Sequence, residues 1–392
     1  MEPNQNLLTK NVLEIISEKT FLVKLASKKR LNIKFGADPT KPDLHLGHAI
    51  GLRKLGDFLK AGHNVIFLIG DFTAKIGDPS GRNAMRPSLT DKEIKSNIAT
   101  WLKQVGRIID IEKCEIRYNS EWFSKLDLEQ LLRVTSQVSL SNVIEREDFQ
   151  KRIKEGRHLA VSEILYQIMQ GYDSVMLEAD LEIGGQDQKL NMLMGRDLQG
   201  AYGQVKQDVM SLPLLSGTDG RKMSKSYGNY IGLDDDPQDA FGKLMSISDG
   251  LIKEYLTLAT DFSDREVGQM ISQLENGKNP KDIKEKMASR VIEMYWGAKE
   301  AVSAADYFDR VFSKRETPEK LETIKVGSPQ ISLIDALVKS SLSESRSDAR
   351  RLIKQSAVKV DNEVITDEFA TIDLDNPKVI RAGKRKFIKI SK

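Results

Sequence analysis

Five consecutive residues, Val65-Ile66-Phe67-Leu68-Ile69, are all apolar. So short and uniform a run suits a strand buried on both faces, as strands of parallel sheets are. Upstream, Leu31-Asn32-Ile33-Lys34-Phe35 alternates and stops at Gly36. Between the two lies a helical pattern over residues 44–61, with Leu52, Leu55, Phe58 and Leu59 at helical spacing. Asp43 is its expected N-cap and Gly62 its stop. Strand, helix and strand at this spacing form a βαβ unit, so the first half is expected to be a doubly wound α/β domain. With 40% apolar residues in 392, two or three domains can each bury a core.

The rest of the chain changes character in steps. A helix is expected over residues 156–175, then a glycine-bearing loop, Ile183-Gly184-Gly185-Gln186-Asp187-Gln188. Residues 236–312 read as helical, and 315–329 as a linker. In the last segment Ser347 is the expected cap of a helix over residues 348–355. Val358-Lys359-Val360, Asp361-Asn362 and Glu363-Val364-Ile365 follow as a hairpin with a two-residue turn. The net charge of the chain is only +3, yet from Ile331 onward 13 Lys and Arg stand against 9 Asp and Glu. That local excess fits either a solvated face or contact with nucleic acid. A single cysteine, Cys114, excludes an intramolecular disulfide. No signal-peptide pattern or membrane-length apolar run is present, so a cytoplasmic protein is expected.

Asp43-Leu44-His45-Leu46-Gly47-His48 carries two of the four histidines. They could be two zinc ligands, but a site needs three protein ligands, and His63 belongs at the far end of the same helix. They could simply satisfy the first turn. Or they could flank a helix N-terminus that binds phosphate, with Gly47 leaving room for a flat base. A second stretch, Asp219-Gly220-Arg221-Lys222-Met223-Ser224-Lys225-Ser226-Tyr227-Gly228, is either a solvated turn or a mobile loop whose lysines close over a polyphosphate. Neither a P-loop nor a dinucleotide fingerprint occurs.

His45-Leu46-Gly47-His48 and Lys222-Met223-Ser224-Lys225-Ser226, in that order, resemble the two signatures of class I aminoacyl-tRNA synthetases. Gly36-Ala37-Asp38-Pro39-Thr40, Ile76-Gly77-Asp78-Pro79-Ser80-Gly81 and Gly184-Gly185-Gln186-Asp187-Gln188 narrow the likeness to the bacterial tyrosyl-tRNA synthetases. Residues 345–355 resemble an S4-type RNA-binding module. The resemblance implies a Rossmann-like doubly wound catalytic domain over residues 1–230. An α-helical anticodon-binding domain over 231–328 and a small α+β S4-like domain over 329–392 would follow. It implies L-tyrosine, ATP with Mg2+ and tRNA(Tyr) as partners, a homodimer, and no protein-bound metal. Thr40, His45, His48, Lys222 and Lys225 would then surround the phosphates, and Gly47, Gly185 and Asp187 the nucleoside. Tyrosine would meet Asp38, Asp78, Tyr166, Gln170, Asp173 and Gln188, with Asp173 on the phenolic hydroxyl. RNA would meet Arg346, Arg350, Arg351 and Lys354. Tyr166, Gln170 and Asp173 share one helix stripe, which without the resemblance reads as a wet surface. Lys34 departs from the family, which often has a tyrosine there. A tryptophan-specific relative and a non-catalytic RNA-binding protein are the competing readings.

Overall fold

A computed structural model describes residues 7–27, 29–78, 89–225, 227–313, 323–361, 363–383 and 386–392. The chain divides into two compact units, Met1–Ala301 and Val302–Lys392. In the first, six strands form one sheet: β1 (Glu14–Ile16), β2 (Asn32–Ala37), β3 (Asn64–Ile69), β4 (Glu115–Tyr118), β5 (Leu181–Gly185) and β6 (Asp208–Leu212). Their order is β1-β6-β5-β2-β3-β4. Every neighbouring pair is parallel except β1 with β6. The doubly wound sheet is therefore as expected, with an antiparallel edge strand that the sequence did not announce. Val65, Ile66, Phe67, Leu68 and Ile69 are all buried.

The chain leaves β2 toward β3 on one side and reaches β5 on the other. This reversal opens a crevice at the carboxyl ends of β2 and β5, where α/β sheets bind ligands. The connecting helix, Leu46–Lys60, packs Leu52, Leu55 and Phe58 into the core, while Leu59 is only partly covered. Gly51 lets this helix approach β2, since a Cβ there would lie 2.3 Å from the Phe35 ring. The helix starts later than expected, and its N-cap is His45 rather than Asp43. The reason is tertiary: Leu46 N–H donates to Ile231 O and Leu233 N–H to Leu44 O, so the chain stays extended through His45.

The supposed loop at 183–188 is instead the end of β5 followed by a 3-10 turn, Gln186–Gln188. Beyond β6 the helical region is as expected, with helices that include Pro237–Met245, Asp264–Glu275 and Pro280–Trp296. No described helix is long and apolar enough to cross a membrane.

The second unit pairs β7 (Thr323–Lys325), β9 (Val358–Val360), β10 (Glu363–Val364), β12 (Lys378–Ala382) and β13 (Lys386–Ser391) in the order β10-β9-β12-β13-β7. A second small sheet joins β8 (Gln330–Ser332) to β11 (Thr371–Asp373). The expected hairpin is present as β9 and β10, although Asn362 lies outside the described residues. Thr323–Lys325, expected within a linker, is a strand parallel to β13; residues 315–322 lie outside the described residues. The basic helix spans Arg346–Lys354 and is capped by Ser345, not Ser347. Ser345 stands three residues before Asp348, whose N–H donates to its hydroxyl at 3.1 Å. Serine spaced that way from an acidic residue makes the better cap.

Candidate active site

A cleft of about 910 Å³ opens at the crevice between β2 and β5. It is lined by all fourteen residues expected around phosphates, nucleoside and tyrosine: Asp38, Thr40, His45, Gly47, His48, Asp78, Tyr166, Gln170, Asp173, Gly185, Asp187, Gln188, Lys222 and Lys225. Pro79, Ser80, Gly81 and Ser226, quoted in the sequence motifs, lie outside the described residues.

At one end stand the histidines. Their ring centroids are 3.9 Å apart. His48 Nδ1 accepts the His45 N–H at 3.2 Å, which leaves Nε2 to carry the proton and donate. Burial pushes His48 down to about 3, helped by Lys225. Burial, and then His48 and the lysines, hold His45 well below the usual range. Both rings are therefore neutral N–H donors. His45 Nδ1 is buried without a partner. The helix beginning at Leu46 has no acidic residue in its first turn, so although Leu46 and His48 N–H are already bonded to Ile231 O and His45 O, the dipole at its start still favours an anion.

The loop carrying Lys222 and Lys225 is closed at its base by the buried side chain of Asn229. Asn229 Oδ1 accepts from Ser224 N–H at 2.9 Å, and Nδ2 donates to Asp219 Oδ1 at 2.7 Å. The strand-like stitch from residues 231–233 to 44–46 ties this loop to the histidine segment. Lys222 Nζ pairs with Asp187 Oδ2 at 2.6 Å. Lys225 Nζ lies 5.8 Å from the Trp101 ring centroid. The two groups assigned to phosphate and to ribose are thus bonded to each other here.

At the other end the helix Val161–Met176 buries Tyr166 and Asp173. The stripe faces the cleft, so its reading as a wet surface is wrong. The Tyr166 hydroxyl donates to Asp38 Oδ2 at 2.9 Å, and Thr73 Oγ1 donates to Oδ1 at 2.8 Å. Burial raises Asp38 to about 7, with the nearby Asp78 charge adding to it. Gly70 makes room for Asp38, since a Cβ there would lie 2.0 Å from Oδ1. Gln188 Nε2 donates to Asp78 Oδ2 at 2.7 Å. Two crowded carboxylates beside a phenol and an amide suit a cation, which would offset their mutual repulsion.

Asp173 Oδ1 accepts from Trp122 Nε1 at 2.9 Å, and Oδ2 from Asn119 Nδ2 at a long 3.5 Å. Burial raises Asp173 to about 7 against the pull of Lys34. Lys34 is itself buried, 3.0 Å from Glu182. Glu182, Trp122, Asn119, Thr73 and Trp101 escaped the sequence reading. Glu182 left one signal: it is a carboxylate inside the apolar strand Leu181-Glu182-Ile183, as Lys34 is an ammonium inside its neighbour.

In the second unit the four basic residues expected to meet RNA all lie on the Arg346–Lys354 helix and are all paired. Arg346 bonds Asp335 at 2.6 Å, Arg351 bonds Asp348, and Arg350 and Lys354 share Glu368 at 3.5 Å. RNA would have to exchange these partners.

Residues 26–313 match the family model for class I tRNA synthetases (W and Y), and residues 314–390 match that for a tyrosine–tRNA ligase SYY-like C-terminal domain. A tyrosine–tRNA ligase from Thermotoga maritima is 43% identical over 100% of this chain and 98% of its own length. One from Colwellia psychrerythraea is 44% identical over 98% and 97%. Among solved structures, a tyrosyl-tRNA synthetase from Archaeoglobus fulgidus complexed with L-tyrosine shares the fold with a TM-score of 0.61 at 22% identity, covering 78% of this chain and 100% of that one.

Proposed function

Because the chain belongs to the class I tRNA synthetases of the tryptophan and tyrosine family and acts as a tyrosine–tRNA ligase, we propose that the cleft is where tyrosine is activated by ATP. The observation that carries this reading is the meeting of two neutral imidazoles at a helix start with two lysines on a tethered loop, at the far end of the cleft from a buried carboxylate pocket.

The tyrosine carboxylate attacks the α-phosphorus in line and pyrophosphate leaves. The nucleophile is already ionised, so no protein base is needed, and catalysis is positioning plus charge stabilisation. His45 and His48 donate to phosphate oxygens, and Thr40 adds a hydroxyl. Lys222 and Lys225 neutralise the leaving pyrophosphate. For Lys222 this requires release from Asp187, which then becomes free to accept the ribose hydroxyls. Gly47 and Gly185 leave the nucleoside access to backbone. Mg2+ arrives on the ATP phosphates as part of the substrate.

Asp38, Asp78, Tyr166, Gln170 and Gln188 surround the substrate ammonium, and Asp173 accepts the phenolic O–H. A buried carboxylate left without that partner penalises phenylalanine. Tyrosyl-tRNA synthetases are themselves the familiar illustration of how strongly such a site rejects a missing hydroxyl. The tyrosyl group then passes to the 3′-terminal ribose of tRNA(Tyr). Catalysis is assigned to residues 1–230, tRNA contact to the helices of 231–328 and the S4-like residues 329–392. Exposed Leu128, Leu132, Leu140 and Val161 offer an apolar face for a homodimer. The cytoplasm is the compartment this substrate set implies. ATP–pyrophosphate exchange run separately with tyrosine, tryptophan and phenylalanine tests the reading: tyrosine alone should support rapid exchange. Exchange driven best by tryptophan would transfer the chain to the other branch of the family.

A further inference from the structure

The burial of Lys34 has a structural consequence for substrate choice. Lys34 on β2 and Glu182 on β5 are direct partners in the parallel register, and both side chains are buried, at 1% and 2% exposure. All three Lys34 N–H groups are engaged, with Glu182 Oε1 at 3.0 Å, Ser174 Oγ at 2.9 Å and Gln170 O at 3.2 Å. None is left for a substrate hydroxyl. Two of these partners, Gln170 and Ser174, bracket Asp173 on its helix, so the ammonium is fixed behind the residue that reads the phenol.

The two carboxylates differ sharply in how they are solvated. Glu182 accepts from Lys34 and Gln170 on Oε1, and from Ser174 and Gln207 on Oε2, the last at 2.7 Å. Asp173 has one good donor, Trp122, and one long one, Asn119. Were the Lys34 charge removed, two buried negative charges would remain in one pocket, and one would take up a proton. Asp173, with fewer donors, is the one that would yield. Its raised position already reflects burial opposed mainly by Lys34. The other groups facing this floor are Glu182, which raises it further, and the Tyr166 phenol, with Asp38 and Asp78 beyond. Buried ion pairs contribute little net stability, because desolvation offsets their attraction, so the pair is not explained as a stabilising device.

We propose that Lys34 is a positioning residue for tyrosine selection: pinned by Glu182, its ammonium keeps Asp173 a charged acceptor for the phenolic O–H without touching the substrate. The inference rests on the assignment of Asp173 to the phenol.

The test is tyrosine- and phenylalanine-dependent pyrophosphate exchange from pH 6 to 9 for Lys34→Met, Lys34→Arg, Glu182→Gln, Lys34→Met/Glu182→Gln and Asp173→Asn. Lys34→Met should raise the KM for tyrosine about tenfold at neutral pH with kcat changed far less, and move the acidic limb of kcat/KM upward by about one pH unit or more. Phenylalanine kinetics should move much less, so selectivity falls. Lys34→Arg should restore part of it, and Glu182→Gln should move the limb downward. In the double variant the losses of Lys34 and Glu182 oppose each other, so its limb should lie below that of Lys34→Met; if Lys34→Met does not fold, the downward shift in Glu182→Gln carries the test. A folded Lys34→Met with an unmoved limb and intact selectivity, or, where it does not fold, a Glu182→Gln whose limb stays in place, overturns the inference. Asp173→Asn separates the two levels: if it keeps tyrosine preference, the reading of Asp173 itself fails. If it loses preference while the Lys34 variants keep theirs, only the role of Lys34 fails.

Discussion

Replacing His48 separates two jobs that one imidazole does. Its Nδ1 accepts the His45 N–H, which helps close the helix start, and in the proposed mechanism its Nε2–H donates to a phosphate oxygen. His48→Ala loses both. A missing preorganised donor costs about 3–4 kcal/mol in the barrier, or roughly 10²- to 10³-fold in rate. The orphaned cap contact costs about 1 kcal/mol of folding stability. The isosteres divide these effects. In His48→Asn the amide oxygen sits near the Nδ1 position and can keep the cap, while the distal donor is lost. In His48→Gln the amide nitrogen reaches toward the Nε2 position, while the cap contact is lost. Stopped-flow tyrosine activation should therefore rank glutamine above asparagine, and denaturant melts should rank asparagine above glutamine. Since burial keeps the wild-type ring neutral down to about pH 3, this ordering should hold across the assay range. Asparagine variants as fast as wild type, with glutamine variants slow, would refute phosphate donation and leave His48 only a capping residue.

Other perturbations follow from the same geometry. Lys222→Ala should slow pyrophosphate exchange about 10²-fold or more while equilibrium dialysis finds tyrosine binding unchanged. Asp38 holds its proton to about pH 7 when folded against 3.8 in its unperturbed form, so its penalty to the fold grows as pH rises through that window and is complete above it. Asp38→Asn should then raise unfolding free energy by about 1–3 kcal/mol at pH 8 but little at pH 4, with loss of tyrosine binding by calorimetry. Arg350→Ala should weaken tRNA binding and reduce the slope of log K against log salt by about one unit, leaving exchange untouched. An unchanged slope would remove Arg350 from the RNA surface.

How much was legible beforehand depended on whether a residue's partners were local. The parallel sheet followed from runs such as Val65–Ile69, because burial on both faces leaves an unbroken apolar signal. The histidines and loop lysines were legible because they sit in contiguous motifs. The true start of the Leu46–Lys60 helix was not, because the chain is held extended by residues 231–233, nearly two hundred positions away. The orientation of Tyr166, Gln170 and Asp173 was equally hidden, since a polar stripe looks the same facing water or a cleft. Glu182 was missed for a related reason. One carboxylate in an apolar strand says little until the strand order is known, and only then does its register with Lys34 turn two anomalies into one ion pair.

In this mechanism the imidazoles and the loop lysines hold one triphosphate between them, and a crystal structure with ATP and a non-reactive tyrosine analogue would show whether they do. Phosphate oxygens should lie within hydrogen-bonding reach of His48 Nε2 and of Lys222 and Lys225 Nζ, with Lys222 detached from Asp187 and the ribose in its place. A nucleotide bound elsewhere, with the Lys222–Asp187 pair intact, would rule the mechanism out.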